Sequence, residues 1–490
     1  MSDPRPDWLN EVDALPRVAA RRDFLGNSAF GFGSLALTSL MAQDESRAAA
    51  THVDGDSHAG LPPRCHFPPR VKSVIMLFQN GGPSQMDMFD PKPELQKRSG
   101  QRVPHIRGGN GDNEQTEPLM GSAFRFQRRG QSGIAFSELV PHLGSIVDDL
   151  CVVQSMYSID PNHPGATHMM CSCSNRPGRP TLGAWCVYAL GSENQNLPGY
   201  VVLRDPSVFH SGGALQVHNG WLPARYRATE IRSEGSAVLN LESAVARPPG
   251  SQQETARLMA QLNQAQQRRY PDDSRLEARI RNYELAARMQ LHAAEELDLS
   301  RESPATLDMY GLNDPVCASY GRRLLLARRL VERGVRFVHV LGPGPHNTWD
   351  HHDYLNEKIV PLSRQVDQPS AALLRDLKQR GLLDETLVIW TGEFGRLPTS
   401  QRGHGRNHNP HGFSLLLAGG GVKRGYVHGA TDEFGYAAVE QRMSVPDLFA
   451  TVLHQLGLDH ERVTYRHHGA DENPSDSRVY KARAVTELLA

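Results

Sequence analysis

The sequence predicts an α/β protein built on a central, mainly parallel sheet with helices over both faces. Three observations predict it. Short apolar runs rich in β-branched residues recur along the chain, segments with helical spacing lie between them, and polar stretches rich in His and Asp follow the runs. In open sheets of this kind ligands bind outside the carboxyl ends of the strands, so the third observation also bears on function.

The first run, VKSVIMLFQ at residues 71–79, is bounded by NGGPS and reads as a buried strand. The second is LCVVQ from Leu150, preceded by FSELVPHLGSIVDDL, which reads as a helix. GYVVL from Gly199 is the third. CASYGRRLLLARRLVERG predicts a helix that stops at Gly334 and leads into VRFVHVL from Val335. DQPSAALLRDLKQRGLLD does the same ahead of TLVIW from Thr386, with Gly381 as the stop. FSLLLAGGG from Phe413 is the sixth run, and DLFATVLHQLGLDH is a final amphipathic helix ending at Gly457. Between about residues 252 and 299, a stretch that includes RLEARIRNYELAARMQLHAAEELDL predicts a helical insertion whose charges form a solvated face. The α/β domain is thus placed at residues 71–465, with a polar surface tail at 466–490.

The 490 residues are enough for a large core, and 39% hydrophobic with 22% charged residues is ordinary for a globular protein. A net charge of -1 argues against nucleic acid or an anionic membrane as partner. The six cysteines show no CxxC spacing; free buried thiols are expected, with one disulfide left open. At the N-terminus, Arg21-Arg22-Asp23-Phe24-Leu25 precedes an uncharged, mildly apolar stretch, and Ala48-Ala49-Ala50 offers a cleavage site. The order of these parts predicts a twin-arginine export signal over residues 1–50, a linker over 51–70, and a periplasmic or extracellular destination; the plainer reading is a tail that merely contains two Arg. The apolar stretch is too short and too rich in Gly and Ser for a stable membrane span.

Four strand ends bring oxygen or imidazole donors to one rim. After the first come Asn80, Ser84, Asp87 and Asp90; after the second, Asp160, Asn162, His163, Thr167 and His168; after the fourth, His346, Asp350, His351, His352 and Asp353; after the fifth, Glu393, His404, His408 and His411. Each alone has a plain structural reading: Asp87 can cap the next element, and Glu393 can pair with Arg396 or Arg406. Together they predict a metal or anion site. A mixed Asp/His set suits a borderline divalent cation, and Arg396 and Arg406 are placed to clamp an oxyanion.

These motifs resemble the family called domain of unknown function 1501. The likeness runs from about residue 20 to 465 and rests on FQNGGPSQMDMFDPKPEL, NHPGAT, RIRNYELAARMQ, WDHH, RGLLDETLVIWTGEFGRLP and GRNHNPHGFSLLLAGGGVKRGYVHGATDEFGY, among others. The family is abundant in bacteria of the planctomycete type and is grouped with the alkaline phosphatase and sulfatase superfamily. The resemblance therefore implies an alkaline-phosphatase-like fold, a twin-arginine signal and a metal-dependent hydrolase of sulfate or phosphate esters, with a small-molecule or glycan ester as substrate. Transferred position by position, Asp350, His352 and His408 match metal ligands. Asn80 stands where an Asp is usual, Asn162 or His163 stands at the nucleophile position, and Glu393-Phe394 replaces an Asp-His pair. The expectations are a divalent metal (zinc, calcium, magnesium or manganese) on Asp350, His352, His408 and Asp87; catalytic roles for Glu393, Thr167 and His163; and substrate contacts from Asn80, Arg396 and Arg406. No sulfatase-type CxPSR is present, so the alternative is an altered member that binds an anionic glycan or surface polymer without turnover.

Overall fold

The computed structural model describes residues 65–104, 106, 117–205, 211–233, 251–270, seven positions between 276 and 285, 297–344 and 347–490. The signal segment, most of the linker and His346 lie outside the described residues. The chain divides into two compact units. The larger, Leu61–Leu239 with Asp273–Ala490, holds a nine-stranded sheet.

The sheet strands are β1 (Ser73–Phe78), β2 (Leu150–Tyr157), β3 (Tyr200–Leu203), β4 (Thr229–Ile231), β5 (Phe337–Leu341), β6 (Thr386–Thr391), β7 (Phe413–Ala418), β8 (Tyr426–His428) and β9 (Met443–Ser444). Their order is β8-β2-β7-β6-β1-β5-β3-β4, with β9 also pairing β2. β1 lies at the centre, parallel to both neighbours, with Val74 opposite Phe337 on one side and Leu387 on the other. Every residue of β1, β3, β5, β6 and β7 is buried, which is what a sheet covered on both faces demands and why these strands read as unbroken apolar runs. β7 alone runs against the others, pairing antiparallel with β2 and β6.

Six helices are used below. In the larger unit they are α1 (His163–Ser172), α2 (Leu182–Leu190), α4 (Ala318–Glu332), α5 (Leu355–Gln379) and α6 (Val445–Gln455). α3 (Ser251–Arg269) belongs to the second unit, Met1–Gly60 with Asn240–Asp272, and is its described part. It covers the front of the expected insertion, most of whose remainder lies outside the described residues. α6 begins with a full capping box between Ser444 and Asp447, with Pro446 in its first turn. The apolar face of α6 joins α2 and the sheet in a large core that includes Trp185, Tyr200, Phe337, Leu448 and Phe449.

Three expectations need correction. The stretch from Phe136 to Leu150 is not one helix: a short strand, a single turn at Pro141–Gly144 and a 3-10 turn divide it, because Pro141 cannot donate to a helix already under way. The helix before β6 starts twelve residues earlier than expected and runs through Pro361 and Pro369. The last residues are no external tail, since Val485 and Leu488 join the core and Leu489 bridges to Val422. The six cysteines are free. No helix among the described residues is long and apolar enough to cross a membrane.

The topology sets the geometry of the rim. The parallel strands β1, β2, β5 and β6 all deliver their carboxyl ends to one edge, and antiparallel β7 starts there. Residues just before β7 therefore meet residues just after the other four.

A candidate metal centre of three histidines and one aspartate

Four side chains converge on that rim. His163 opens α1, directly after β2; Asp350 and His352 lie in the loop after β5; His408 precedes β7. One ligand atom from each lies within 4.8 Å of all the others. His352 Nε2 is 2.9 Å from His408 Nε2 and 2.9 Å from Asp350 Oδ1. His408 Nε2 is 3.2 Å from the same Oδ1, and His163 Nε2 is 3.2 Å from Asp350 Oδ2. That last approach falls outside hydrogen-bond alignment, so the His163 Nε2 atom is buried without a hydrogen-bond partner.

The backbone explains the convergence. Residues 395–396 pair antiparallel with 408–409, setting His408 opposite Arg396. The loop holding Asp350 crosses directly over Gly81, whose φ is +113° and where a Cβ would stand 2.6 Å from the backbone nitrogens of Trp349 and Asp350. Only glycine tolerates that approach. Phe394 packs its ring against His163 and His408 at centroid distances of 4.9 and 4.5 Å, an apolar wall behind two imidazoles.

The outer nitrogens decide the protonation. His163 Nδ1 donates to Glu393 Oε1 at 2.7 Å, His408 Nδ1 donates to the Pro161 carbonyl at 2.7 Å, and His352 Nδ1 donates to Gln401 Oε1. Each partner is an acceptor, so in the neutral ring each proton sits on Nδ1 and each Nε2 presents a lone pair. With all three rings neutral, as metal ligation requires, three lone pairs and a carboxylate face one another. A divalent cation satisfies that arrangement, and imidazole rings anchored through the far nitrogen are the usual form of metal ligation. The side-chain exposures are 29% for His352, 24% for Asp350, 9% for His163 and 8% for His408, so the cluster opens to solvent on one side.

Without a cation the same atoms titrate abnormally. Burial opposes charge on His163, but the hydrogen bond to Glu393 and the negative charge of the nearby Asp350 carboxylate outweigh it and raise the imidazole to about 9. Burial drives His408 down to about 4, with Asp350 opposing. Asp350 itself resists burial and is held far below the usual carboxylate range by His163, His352 and His408.

The remaining expected residues are placed as follows. Glu393 is completely buried behind His163, its Oε1 and Oε2 also accepting from the Gly81 amide at 2.8 and 3.1 Å. Asp87 is not in the cluster. Its two oxygens accept from Arg406 Nε at 2.8 Å and Nη2 at 3.3 Å, Ser84 Oγ also donates to it, and both charged partners are fully buried. Arg406 therefore presents no guanidinium to a substrate. Arg396 is also buried; it donates to Asp350 Oδ1 at 2.7 Å and to the carbonyls of Gly81, Gly82, Trp349 and Arg406. It orients the Asp350 carboxylate from behind. Thr167, one turn beyond His163 on α1, and Asn80 are fully buried, and their side-chain polar atoms have no hydrogen-bond partner. His351 is buried beside Trp349, His404 stacks on exposed Tyr354, and His411 packs on Tyr436. Sequence reasoning did not reach Gln401, the Pro161 carbonyl or the Gly81 amide; backbone groups carry no sequence signal, and Gln401 looks like any loop residue.

Fold and cluster together define a mainly parallel α/β protein with a candidate three-histidine, one-aspartate metal centre at the carboxyl edge of its sheet. The chain belongs to the family described as Protein of unknown function (DUF1501), which it matches over residues 71–489. No curated protein matches the sequence. Among solved structures, the chain is similar to the phosphonate monoester hydrolase SpPMH from Silicibacter pomeroyi (14% identity, 71% of each chain covered, TM-score 0.32). It is also similar to the PsFucS1 sulfatase from Pseudoalteromonas sp. (13% identity, 81% of this chain and 69% of that one, TM-score 0.32). A third is a protein in the alkaline phosphatase superfamily from Vibrio parahaemolyticus (10% identity, 86% and 77% covered, TM-score 0.34).

Proposed function

We propose that the protein is an exported, metal-dependent hydrolase of sulfate or phosphate esters, with His163, Asp350, His352 and His408 holding one divalent cation. One observation carries the reading: three imidazole lone pairs, each fixed by an acceptor on the far nitrogen, meet one carboxylate at a face open to solvent. Once bound, such a cation supplies Lewis-acid polarisation of a phosphoryl or sulfuryl oxygen. The chain's own residues do the rest. His352 and Asp350 form the open side where an ester enters, Arg396 holds Asp350 in place, and Phe394 keeps water from behind His163 and His408. Three nitrogens with one oxygen favour zinc or manganese over calcium or magnesium. The ester class follows the family resemblance, and the twin-arginine pattern at Arg21-Arg22 supports export.

A second reading, an anion-binding protein without turnover, is favoured by one specific feature. At the head of α1, where a nucleophile is usual in the superfamily pattern, His163 turns its Nε2 to Asp350, and Thr167 is fully buried. The experiment is a panel of phosphate, phosphonate and sulfate esters offered to zinc- and manganese-loaded protein, with His408→Ala as control. The hydrolase reading expects turnover that chelation abolishes and that falls at least a hundredfold in the variant. No turnover on any ester, together with retention of an anionic polysaccharide, supports the second reading.

A further inference from the structure

The three imidazoles are not anchored equally. His163 rests on the buried Glu393 carboxylate, and His408 rests on a backbone carbonyl. His352, the most exposed ligand, rests on a neutral side chain, Gln401. Gln401 in turn is held by main chain. It opens a tight hairpin closed by its own amide donating to the Gly405 carbonyl at 2.6 Å and by the Gly405 amide donating back at 3.0 Å. That hairpin is strapped to the loop carrying His352 by the Leu355 amide on the His404 carbonyl at 2.9 Å and by the Arg406 amide on the His351 carbonyl at 3.0 Å. The Tyr354 amide adds a bond to His404 Nδ1 at 3.0 Å. Gly405 lies so close beneath His352 that a Cβ there would stand 2.1 Å from the His352 carbonyl oxygen.

We infer that Gln401 is a positioning residue for the metal centre: its amide oxygen fixes the tautomer and ring plane of His352, and through them the affinity of the site for a divalent cation. The inference rests on the metal reading above. Gln401 can serve because its side-chain oxygen, not its nitrogen, must face Nδ1 once Nε2 is needed as a lone pair. Outer hydrogen bonds of this kind change metal affinity by about 10–100-fold when removed. Because the hairpin closes through backbone groups, truncating the Gln401 side chain leaves its frame intact.

The test measures zinc affinity by competition with a chelator, and the visible spectrum of the cobalt-loaded protein, for wild type, Gln401→Ala, Gln401→Glu and His408→Ala. Gln401→Ala is expected to weaken zinc binding about 10–100-fold and to alter the cobalt bands, with the metal-free melting temperature unchanged. Gln401→Glu restores an acceptor with more negative charge and is expected to bind zinc at least as tightly as wild type. Affinity within twofold of wild type for Gln401→Ala, while His408→Ala loses the metal, would overturn the role of Gln401 and leave the site standing. Equal weakening by Ala and Glu would also overturn it, since rescue by an acceptor is its signature. Wild type without any zinc affinity would overturn the site itself and this role with it.

Discussion

Two sets of charged side chains lie at the same rim of the sheet, and they differ in how they are completed. In the set around Asp87, every charge meets its partner: the Arg406 guanidinium forks onto both carboxylate oxygens and a backbone carbonyl, and Ser84 supplies a further donor. In the set around Asp350, three imidazoles turn their Nε2 atoms toward the carboxylate and toward each other, and their Nδ1 atoms rest on acceptors on the far side. A completed set is a structural element. An incomplete one, held in place by Arg396, Glu393 and Gln401, is what the proposed metal reading calls for. From sequence the two look alike, because both are polar residues just past apolar runs.

The comparison can be broken most forcefully at Asp87. Asp87→Ala leaves a fully buried guanidinium unpaired and is expected to cost about 3–5 kcal/mol in denaturant unfolding. The zinc stoichiometry of the folded fraction should not change. Loss of the metal with little loss of stability would place Asp87 in the centre after all. His408→Ala is the converse. It should cost the metal-free protein less than Asp87→Ala, because it leaves no buried charge unpaired, yet abolish the stabilisation of about 2.7 kcal/mol that wild type gains at zinc a hundredfold above its dissociation constant.

Acidity gives a third handle, with a sign that depends on the metal. In the metal-free protein His163 is raised from 6.5 to about 9. Its contribution, on the order of 3 kcal/mol, is then fully present below pH 6.5 and lost as pH rises through 9. Zinc competes with that same proton, so the stabilisation added by zinc should grow with pH over this window. In unfolding free energies measured from about pH 6.5 to about 9.5, the metal-free curve should fall while the zinc-loaded curve holds nearly level, so that the gap widens; a constant gap would remove His163 from the ligand set. The smallest effect belongs to Thr167. Its buried hydroxyl has no hydrogen-bond partner, so Thr167→Val should leave stability within about 1 kcal/mol of wild type and leave zinc binding unchanged. Loss of ester turnover in that variant alone would make Thr167 the nucleophile.

Much of the fold is legible because its strands are buried on both faces. β1, β5, β6 and β7 show as apolar runs with little else in them. The strands β4, β8 and β9 are only two or three residues long, too short to carry a pattern. Pro361 and Pro369 hide the true length of α5, since a proline in sequence reads as a stop while here the helix continues through both. In the site, the sequence names all four members of the cluster, with His163 expected in catalysis, and it adds Asp87 as a ligand, which the structure sets apart from the cluster. Both assignments turn on long-range facts. Asp87 meets Arg406 across 319 positions, and His163 meets Glu393 across 230. Local spacing carries neither.

Whether the four-residue cluster holds a metal is decided by elemental analysis of the full chain, purified without chelator, alongside His163→Ala and His408→Ala. Close to one zinc or manganese per wild-type chain is expected, with a large loss in both variants. Wild-type protein free of any divalent metal, and unable to take one up on dialysis, would contradict that expectation.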